Sequence, residues 1–324
     1  MHEYSLWEMF LHMKRILIAD EIHPSLLPML RQAGWESEYQ PAIQRPQLLE
    51  QISGFEGLII RSKTTVDQEL LARAGRLQFI GRAGAGLDLI DMNYCQQRVI
   101  AVFAANEGNR DAVAEHGVGM LLCLFNHLNR ADAQVRQRIW KREEARGTEL
   151  MGKTVGIIGY GNNGRAFAQR LIGFGVRVLA YDKYHFADGP FAEPVPLQQL
   201  FDEADVLSLH VPLTDETLHW VNADFINQMR KPFFLLNMSR GEIVVLADLL
   251  AGLQSGKVRG ACLDVLENEK LAQLTPQQST VFDGLAALPN VLFSPHVAGW
   301  THESYVKINE VLVGKIKQLP VTFG

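Results

Sequence analysis

The sequence predicts an α/β protein with two doubly wound parallel sheets, in which one domain is inserted into the other. Short apolar or β-branched runs alternate with helical patterns along most of the chain, and this alternation is typical of parallel sheets covered by helices. A glycine-rich turn follows one of these runs near the middle of the chain. With 324 residues, the chain is long enough for two domains that each bury a core.

The first hundred residues predict a domain of alternating strands and helices. Strands are predicted over residues 14–19, 57–60, 77–80 and 99–103. Helices are predicted over residues 24–33, 46–52 and 67–74. Two of the strands lead into loops that carry basic residues, Arg61-Ser62-Lys63 and the loop that begins at Arg82. We expect these strands to form a parallel, doubly wound sheet.

Residues 1–13 are set apart from this domain. They have apolar character, but they include Glu3 and Glu8 and lack a basic start, so they are not typical of a signal peptide. The longest wholly apolar run, Gly117–Phe125, is too short to span a bilayer. We therefore expect no membrane partner.

The charge and the cysteines restrict the function further. A net charge of −5 provides no global basic field that would attract nucleic acid. Cys95, Cys123 and Cys262 are scattered and form no CxxC pair. This pattern favours reduced thiols in the cytoplasm and argues against a metal site.

A helical pattern over residues 111–129 predicts a helix that links the two domains. Its apolar stripe consists of Ala114, Val118, Leu121, Leu122 and Phe125. Trp140 follows in a charged segment, and two interpretations of it stay open. It either covers the edge of a core or contacts another subunit, because aromatic residues and arginine are enriched in interfaces.

The second domain is predicted over residues 108–295, and the first domain over residues 1–107 with 296–324. The strands of the second domain are predicted over residues 154–158, 176–181, 205–210, 233–237, 260–264 and 291–294. Six strands match two βαβαβ halves, and ligands of such open sheets bind outside the carboxyl ends of the strands. A last helix over residues 301–317 is expected to pack on the first domain.

The glycine-rich turn predicts a dinucleotide site. Gly159 allows a tight turn, Gly161 lets the backbone approach a pyrophosphate, and Gly164 lets the following helix pack on the strand. The helix N-terminus offers unpaired N–H groups to that pyrophosphate. Asp182 lies eighteen residues after Gly164, at the end of the next strand. Its carboxylate can accept hydrogen bonds from ribose hydroxyls and would repel a 2′-phosphate, which favours NAD over NADP.

Three polar side chains lie past later strands of the same domain: Arg240, Glu269 and His296. Singly, they would pass as a surface cation, a solvated charge and a helix cap. Together they form one mechanism, the transfer of hydride between nicotinamide and a 2-hydroxy acid. Histidine exchanges a proton with the hydroxyl group, a carboxylate beside it favours imidazolium, and an arginine fork holds the substrate carboxylate.

With these residues, the chain resembles the D-isomer-specific 2-hydroxyacid dehydrogenase family, in particular its phosphoglycerate dehydrogenase-like branch. The resemblance runs from Lys14 onward and rests on RAGAGLDLID (82–91), NEGNRDAVAEHG (106–117), GYGNNG (159–164), NMSRGEIV (237–244), GACLDVLENE (260–269) and SPHVAGWT (294–301). It implies a Rossmann NAD-binding domain inserted into a flavodoxin-like substrate domain. It also implies a homodimer with the 111–129 helix and Trp140 in the interface.

The resemblance implies a role for each site residue. His296 is the acid/base, Glu269 is its partner, and Arg240 anchors the substrate and the nicotinamide. The residues implied at the cofactor are Gly159, Gly161, Asn162, Asn163, Gly164, Asp182, His210, Val211, Pro212, Thr217, Met238, Ser239, Arg240, Asp264, His296, Ala298 and Gly299. The residues implied at the substrate are Arg61, Ser62, Ala85, Gly86, Arg240 and His296.

Two departures from the family pattern affect a loop and a domain. The family usually has proline after the motif glutamate, whereas this chain has Lys270; this changes a loop without removing the chemistry. Some larger relatives carry a C-terminal regulatory domain, and this chain ends soon after its final predicted helix. Feedback by that route is not expected.

The predicted substrate pair is 3-phosphoglycerate and 3-phosphohydroxypyruvate, which belongs to serine biosynthesis. Arg61, Lys63 and Arg82 would suit a second anionic group, because Arg240 and the Ala85-Gly86 amides already provide for the substrate carboxylate. In the alternative interpretation, Arg61 and Arg82 only brace their loops. They would then pair with acids such as Asp67 or Asp88.

Two other functions stay open. One is a glyoxylate or hydroxypyruvate reductase. The other is an NAD-binding scaffold of the corepressor type with little turnover, which the absence of long polar tails disfavours. Glu269, where formate dehydrogenases have glutamine, disfavours formate as the substrate.

Overall fold

The computed structural model describes residues 14–184 and 189–319. The chain divides into two compact units, of which the first extends to Asn109 and resumes at Thr301, and the second is Arg110–Trp300. These boundaries lie two and five residues after the predicted ones, so His296 belongs to the second unit. The segment considered as a signal peptide lies outside the described residues.

The described part of the first unit contains a five-stranded parallel sheet of order β2-β1-β3-β4-β5. Its strands are β1 Arg15–Ile18, β2 Glu36–Tyr39, β3 Gly57–Ile60, β4 Phe79–Arg82 and β5 Ala101–Ala104. Its first helices are α1 Leu26–Gln32, α2 Arg45–Gln51, α3 Gln68–Arg73 and α4 Met92–Gln97. This order is that of flavodoxin-like sheets, as predicted.

The sheet is buried on both faces because alternate residues of each strand point to opposite sides. Leu17 of β1 lies in one apolar cluster, and its neighbours Ile16 and Ile18 lie in the other. Two elements of this unit escaped prediction. The edge strand β2 (ESEY) has no apolar run, and α4 is a short helix that begins at the side-chain cap of Asp91.

The described part of the second unit contains a seven-stranded parallel sheet of order β12-β11-β10-β9-β6-β7-β8. Its strands are β6 Thr154–Ile158, β7 Arg177–Tyr181, β8 Glu193–Pro194, β9 Val206–Leu209, β10 Phe233–Asn237, β11 Val258–Leu263 and β12 Val291–Phe293. Counted within the unit, the order is 3-2-1-4-5-6-7, which contains the predicted Rossmann order. The prediction missed β8, a two-residue edge strand that ends in proline.

The helices of this unit surround the sheet. They are α5 Arg110–Phe125, α6 Leu128–Arg136, α7 Asn162–Leu171, α8 Leu197–Glu203, α9 Ala223–Gln228, α10 Leu246–Gln254 and α11 Pro276–Ala286. The last helix of the chain, α12 His302–Ile316, returns to the first unit. There it places Ile308 and Leu312 in the same cluster as Ile16, as predicted.

The single helix predicted over residues 111–129 is two helices. The first helix ends at Phe125, and His127, just before the second helix, has a left-handed φ of 53°. Helix α5 buries its apolar side in the core of the second unit, whereas α6 has no buried residue. Trp140 is 81% exposed, so it does not cover a core edge, and the interpretation as a subunit contact stays a prediction.

Two features bear on membranes and metals. Within residues 14–184 and 189–319, no helix combines the length and the apolar character that a bilayer crossing requires. The same residues contain no group of three or more His, Cys, Asp or Glu side chains arranged to hold a metal ion.

Candidate active site

The carboxyl ends of the strands of the second unit carry most of the predicted site. The residues that directly follow these strand ends are Gly159, Asp182, His210, Met238, Asp264 and Ser294. Since the strands are parallel, their carboxyl ends lie on one edge of the sheet. The predicted substrate residues Arg61, Ser62, Ala85 and Gly86 belong to the first unit.

The glycine turn after β6 has the geometry that a pyrophosphate site requires. Gly159 has a φ of +91°, and a Cβ atom there would lie 2.6 Å from the carbonyl oxygen of His210. A Cβ atom on Gly164 would lie 2.1 Å from the carbonyl oxygen of Gly159. Gly161 has no described atom within 4 Å of such a position, so its backbone is open to approach. Helix α7 begins at the next residue and provides N–H groups without intrahelical acceptors.

Asp182 has a second task besides the predicted contact with ribose. Its Oδ2 accepts the Tyr160 N–H group at 2.7 Å, and its Oδ1 accepts the Tyr184 N–H group at 2.9 Å. The carboxylate therefore ties the glycine turn to the end of β7. A carboxylate has about four acceptor positions, and contact of Asp182 with ribose hydroxyls stays a prediction. The residues present fit a dinucleotide.

His210 and Thr217 lie on the loop after β9, near the same edge. Burial lowers the pKa of His210 to about 4, so this ring is neutral at neutral pH, and its Nε2 lies 2.9 Å from Ser208 Oγ. Thr217 Oγ1 donates to the Pro212 carbonyl at 2.7 Å and accepts the Thr214 N–H group at 2.8 Å. These bonds shape the loop, and direct contact of Val211, Pro212 and Thr217 with a cofactor stays a prediction.

The turn after β10 presents Arg240. Asn237 is fully buried, and its Oδ1 accepts the N–H and hydroxyl groups of Ser239 at 3.1 and 2.8 Å. Its Nδ2 donates to the Arg240 carbonyl at 2.9 Å. A Cβ atom on Gly241 would lie 1.9 Å from the Leu266 carbonyl oxygen, so the turn approaches the loop after β11 closely. The backbone of Arg240 is thus fixed independently of its partly exposed side chain.

The structure brings His296 and Glu269 together. His296 Nδ1 lies 2.8 and 3.0 Å from the two carboxylate oxygens of Glu269, and the two side chains are 48% and 47% exposed. With Nδ1 donating to the carboxylate, Nε2 is the nitrogen that can exchange a proton with a ligand. His296 has a left-handed φ of 55°, and its N–H group donates to the Asp264 carbonyl at 2.7 Å.

Asp264 holds the loop that carries His296. This carboxylate is 2% exposed and accepts the N–H groups of Val297 and Ala298, both at 2.9 Å. The Ser294 hydroxyl also donates to it and lies 2.9 Å from His116 Nε2. The sequence prediction placed Asp264 at the nicotinamide and missed this network. Position was its only signal, since Asp264 directly follows an apolar strand.

A cavity of about 370 Å³ adjoins the pair. Its polar lining consists of Asp264, Glu269, Ser294 and His296. Its apolar lining consists of Leu266, Leu271, Phe282, Phe293 and Pro295. The acid/base pair therefore borders an apolar space within the second unit.

In the first unit, the buried Asp20 shapes the loop of Arg61. Its Oδ2 accepts the N–H groups of Arg61 at 2.6 Å, Lys63 at 3.0 Å and Thr64 at 3.3 Å. Sequence reasoning did not select Asp20, although it lies two residues after the apolar strand β1. A buried carboxylate that collects successive backbone N–H groups fixes the loop conformation.

Two basic side chains of the first unit donate to other groups of the same unit. Arg61 Nη1 donates to Tyr305 Oη at 3.1 Å and to the Glu21 carbonyl at 3.3 Å. Lys63 Nζ donates to the Pro41 and Ile43 carbonyls at 2.6 and 3.1 Å.

Asp67, one of the two acids considered as partners of Arg61 and Arg82, pairs with Arg45. Arg82 Nη1 donates to the Ala83 carbonyl at 2.8 Å. The N–H groups of Ala85 and Gly86 donate to no other residue in the described part of the chain. Their predicted role with a carboxylate stays a prediction.

Several known proteins that are similar to this chain are dehydrogenases or reductases of hydroxy or keto acids. The family model of the D-isomer specific 2-hydroxyacid dehydrogenase NAD binding domain matches residues 118–298. A D-3-phosphoglycerate dehydrogenase of Archaeoglobus fulgidus is 34% identical over 314 residues, which are 95% of this chain and 58% of that protein. A hydroxypyruvate reductase of Thermotoga maritima is 34% identical over 274 residues, which are 85% of this chain and 88% of that protein.

Solved structures show the same likeness. A D-lactate dehydrogenase from Aquifex aeolicus, complexed with NAD and lactic acid, superposes with a TM-score of 0.78 at 28% identity, over 94% of both chains. The chain spans between 52% and 58% of the length of four phosphoglycerate dehydrogenases that it matches.

Proposed function

This chain belongs to the D-isomer specific 2-hydroxyacid dehydrogenase family, and we propose that it interconverts a D-2-hydroxy acid and the corresponding 2-keto acid. NAD is the cofactor of its binding domain. The observation that carries the proposal is the contact of 2.8 Å between His296 Nδ1 and Glu269, on the loops that follow two strands of the dinucleotide-binding sheet.

Each residue has a definite task in this reaction. NAD held by the glycine turn and Asp182 would supply the hydride acceptor for oxidation of the hydroxy acid, and NADH would supply the hydride donor for reduction of the keto acid. In oxidation, His296 Nε2 takes the hydroxyl proton as a general base, and in reduction it donates that proton. Glu269 stabilises the imidazolium form, and the Arg240 fork holds the substrate carboxylate. The glycine turn and Asp182 hold the pyrophosphate and the ribose.

We propose 3-phosphoglycerate as the hydroxy acid and 3-phosphohydroxypyruvate as the keto acid, a reaction of serine biosynthesis. The names of several relatives at 30–34% identity support this choice. Arg61 is the cation that we propose for the phosphate, because it lies on the loop directly after β3 and its side chain is partly exposed. Hydroxypyruvate is the second candidate, favoured by the Thermotoga maritima relative, which the chain matches over 88% of its length.

The test is NADH oxidation against 3-phosphohydroxypyruvate, hydroxypyruvate, glyoxylate and pyruvate. The highest kcat/KM is expected for the phosphorylated acid. A preference for hydroxypyruvate or glyoxylate would assign the second function. Turnover of none of the four would favour the scaffold interpretation.

Arg61→Ala is expected to lower kcat/KM for the phosphorylated substrate much more than for the substrates without phosphate. Each charged hydrogen bond to phosphate contributes about 1.5–3 kcal/mol, so kcat/KM for 3-phosphohydroxypyruvate should fall roughly 10- to 150-fold. The value for hydroxypyruvate should change little. Steady-state kinetics on both substrates measure this.

Tyr305→Phe is the matched control for this substitution. It removes the hydroxyl that accepts from Arg61 and keeps the guanidinium. If Arg61 only braces its loop, both variants should lower kcat/KM equally on both substrates. That result would reject the phosphate contact.

Asp182→Ala is expected to narrow the preference for NADH over NADPH. Loss of the ribose acceptor should lower kcat/KM for NADH about 10- to 100-fold, and loss of the charge should favour NADPH. Lys183 gives little compensation, because its Nζ pairs with Glu216 at 2.6–2.7 Å. Asp182→Asn removes the charge but keeps an oxygen acceptor for the Tyr160 N–H group. It therefore distinguishes the effect of the charge from the effect of losing the bond that holds the loop. Equal efficiency of the wild type with both cofactors would contradict the assignment.

We infer a homodimer in which the segment 128–140 contributes to the interface. Leu128, Val135, Ile139 and Trp140 are 53%, 51%, 38% and 81% exposed. Trp140→Glu is expected to shift the mass measured by light scattering from dimer to monomer, since a buried charge without a partner is costly. Val99→Glu, at an exposed side chain of the first unit, is the control. A monomeric wild type would reject the dimer.

We place the protein in the cytoplasm. Its three cysteines form no disulfide, which suits a reducing compartment.

A further inference from the structure

The loop that carries Glu269 is held by the two residues before it. Glu267 Oε2 accepts the Leu246 N–H group at 3.2 Å, at the first residue of α10. Asn268 Oδ1 accepts the Lys270 N–H group at 3.0 Å. This last bond spans Glu269 and closes an Asx turn, in which the side chain imitates a backbone turn.

The amide of Asn268 also connects the loop to α11. Its Nδ2 donates to Gln278 Oε1 at 3.3 Å. That oxygen accepts the Thr275 N–H group at 3.0 Å, and Thr275 Oγ1 accepts the Gln278 N–H group at 3.2 Å. This reciprocal pair is the capping box that starts α11. Asn268 thus joins the backbone after Glu269 to the fixed end of a helix.

Glu269 needs this support because packing in a core does not fix the position of its side chain. Its side chain is 47% exposed, and Lys270 and Leu271 after it are also exposed. An exposed loop has many conformations to lose when one carboxylate must stay at hydrogen-bond distance from a ring nitrogen. A misplacement of about 1 Å in a catalytic group costs up to about 100-fold in rate.

We propose that Asn268 is a positioning residue that keeps the Glu269 carboxylate on His296 Nδ1. It acts on Glu269 through the Lys270 N–H group, while its bond to Gln278 fixes the Asn268 side chain itself to the start of α11, and it touches no reacting atom. The kinetic part of this inference rests on the proposed function. The structural part, that Asn268 orders the loop, is independent of turnover.

A proline at position 270 provides the decisive comparison. Lys270 has a φ of −85°, and proline fixes φ near about −65° and removes the N–H group that Asn268 accepts. In Lys270→Pro, the ring therefore replaces the restriction that Asn268 imposes. The effect of Asn268→Ala should be large in the wild type and small in this background.

The experiment combines steady-state kinetics with amide hydrogen exchange followed by mass spectrometry. Asn268→Ala is expected to lower kcat for keto-acid reduction about 10-fold while KM for NADH stays unchanged. Exchange in residues 266–271 should become faster. Gln277→Ala, an exposed neighbour of Gln278, is the matched control and should change neither quantity.

The double variant Asn268→Ala with Lys270→Pro is expected to keep kcat within about 2-fold of Lys270→Pro alone. If Lys270→Pro fails to fold, Asn268→Asp replaces it, because it keeps the acceptor for the Lys270 N–H group. It should keep kcat within about 3-fold of the wild type.

Unchanged kcat and exchange in Asn268→Ala would overturn the inference, and so would an equal loss in the proline background. A wild type without turnover would refute the proposed function instead. The exchange data would then still decide whether Asn268 holds the loop.

Discussion

His296→Asn is expected to lower kcat in both directions by roughly 100-fold or more while NADH still binds, because the variant lacks the general acid and base. Asparagine is the suitable replacement for a structural reason. His296 has a left-handed φ of 55°, and asparagine tolerates that region better than most residues. The N–H bond to the Asp264 carbonyl does not involve the side chain, so the loop should keep its conformation.

A second variant provides the control for this result. Glu269→Gln removes the carboxylate that lies 2.8 Å from His296 Nδ1 and keeps the ring, so kcat should fall less than in His296→Asn. His210 cannot replace His296 as the proton donor, since its pKa of about 4 leaves it neutral at the pH of the assay. Near wild-type turnover in His296→Asn would reject the assignment.

The sequence predicted those parts of the fold that carry strong local patterns. Strand β3 was predicted at its observed bounds, because GLII is a continuous apolar run. The edge strands β2 and β8 were missed, since ESEY and the two residues Glu193–Pro194 lack an apolar run. Their strand conformation depends on pairing with β1 and β7, which is a long-range property.

The same limit applies to the site. Arg240, Glu269 and His296 were recognisable because each lies in a motif, whereas the hydrogen bonds that hold their loops were not predicted. Asn237 and Asp264 fix loops through buried hydrogen bonds to backbone N–H groups. Such a bond depends on which strands become neighbours in space, and the sequence pattern contains no period that reports it.

The second large effect is expected for Arg240→Met, which keeps the length of the side chain and removes the fork. Two charged hydrogen bonds to a substrate carboxylate contribute about 3–6 kcal/mol together. The substitution should therefore lower kcat/KM for the keto acid about 100- to 10,000-fold. Steady-state kinetics should show a large rise in KM for the keto acid together with a fall in kcat.

The structure makes Arg240→Met a clean test of substrate binding. The turn that carries Arg240 is held by Asn237, whose Nδ2 donates to the Arg240 carbonyl at 2.9 Å, and this bond survives the substitution. NADH binding, measured by fluorescence titration, should change much less than keto-acid binding. Arg240→Lys is the control, because it keeps the charge but not the bidentate geometry. It should recover only part of the loss, and full activity in Arg240→Lys would show that charge alone is needed. A loss confined to NADH binding would place Arg240 at the cofactor and leave the substrate carboxylate to another group.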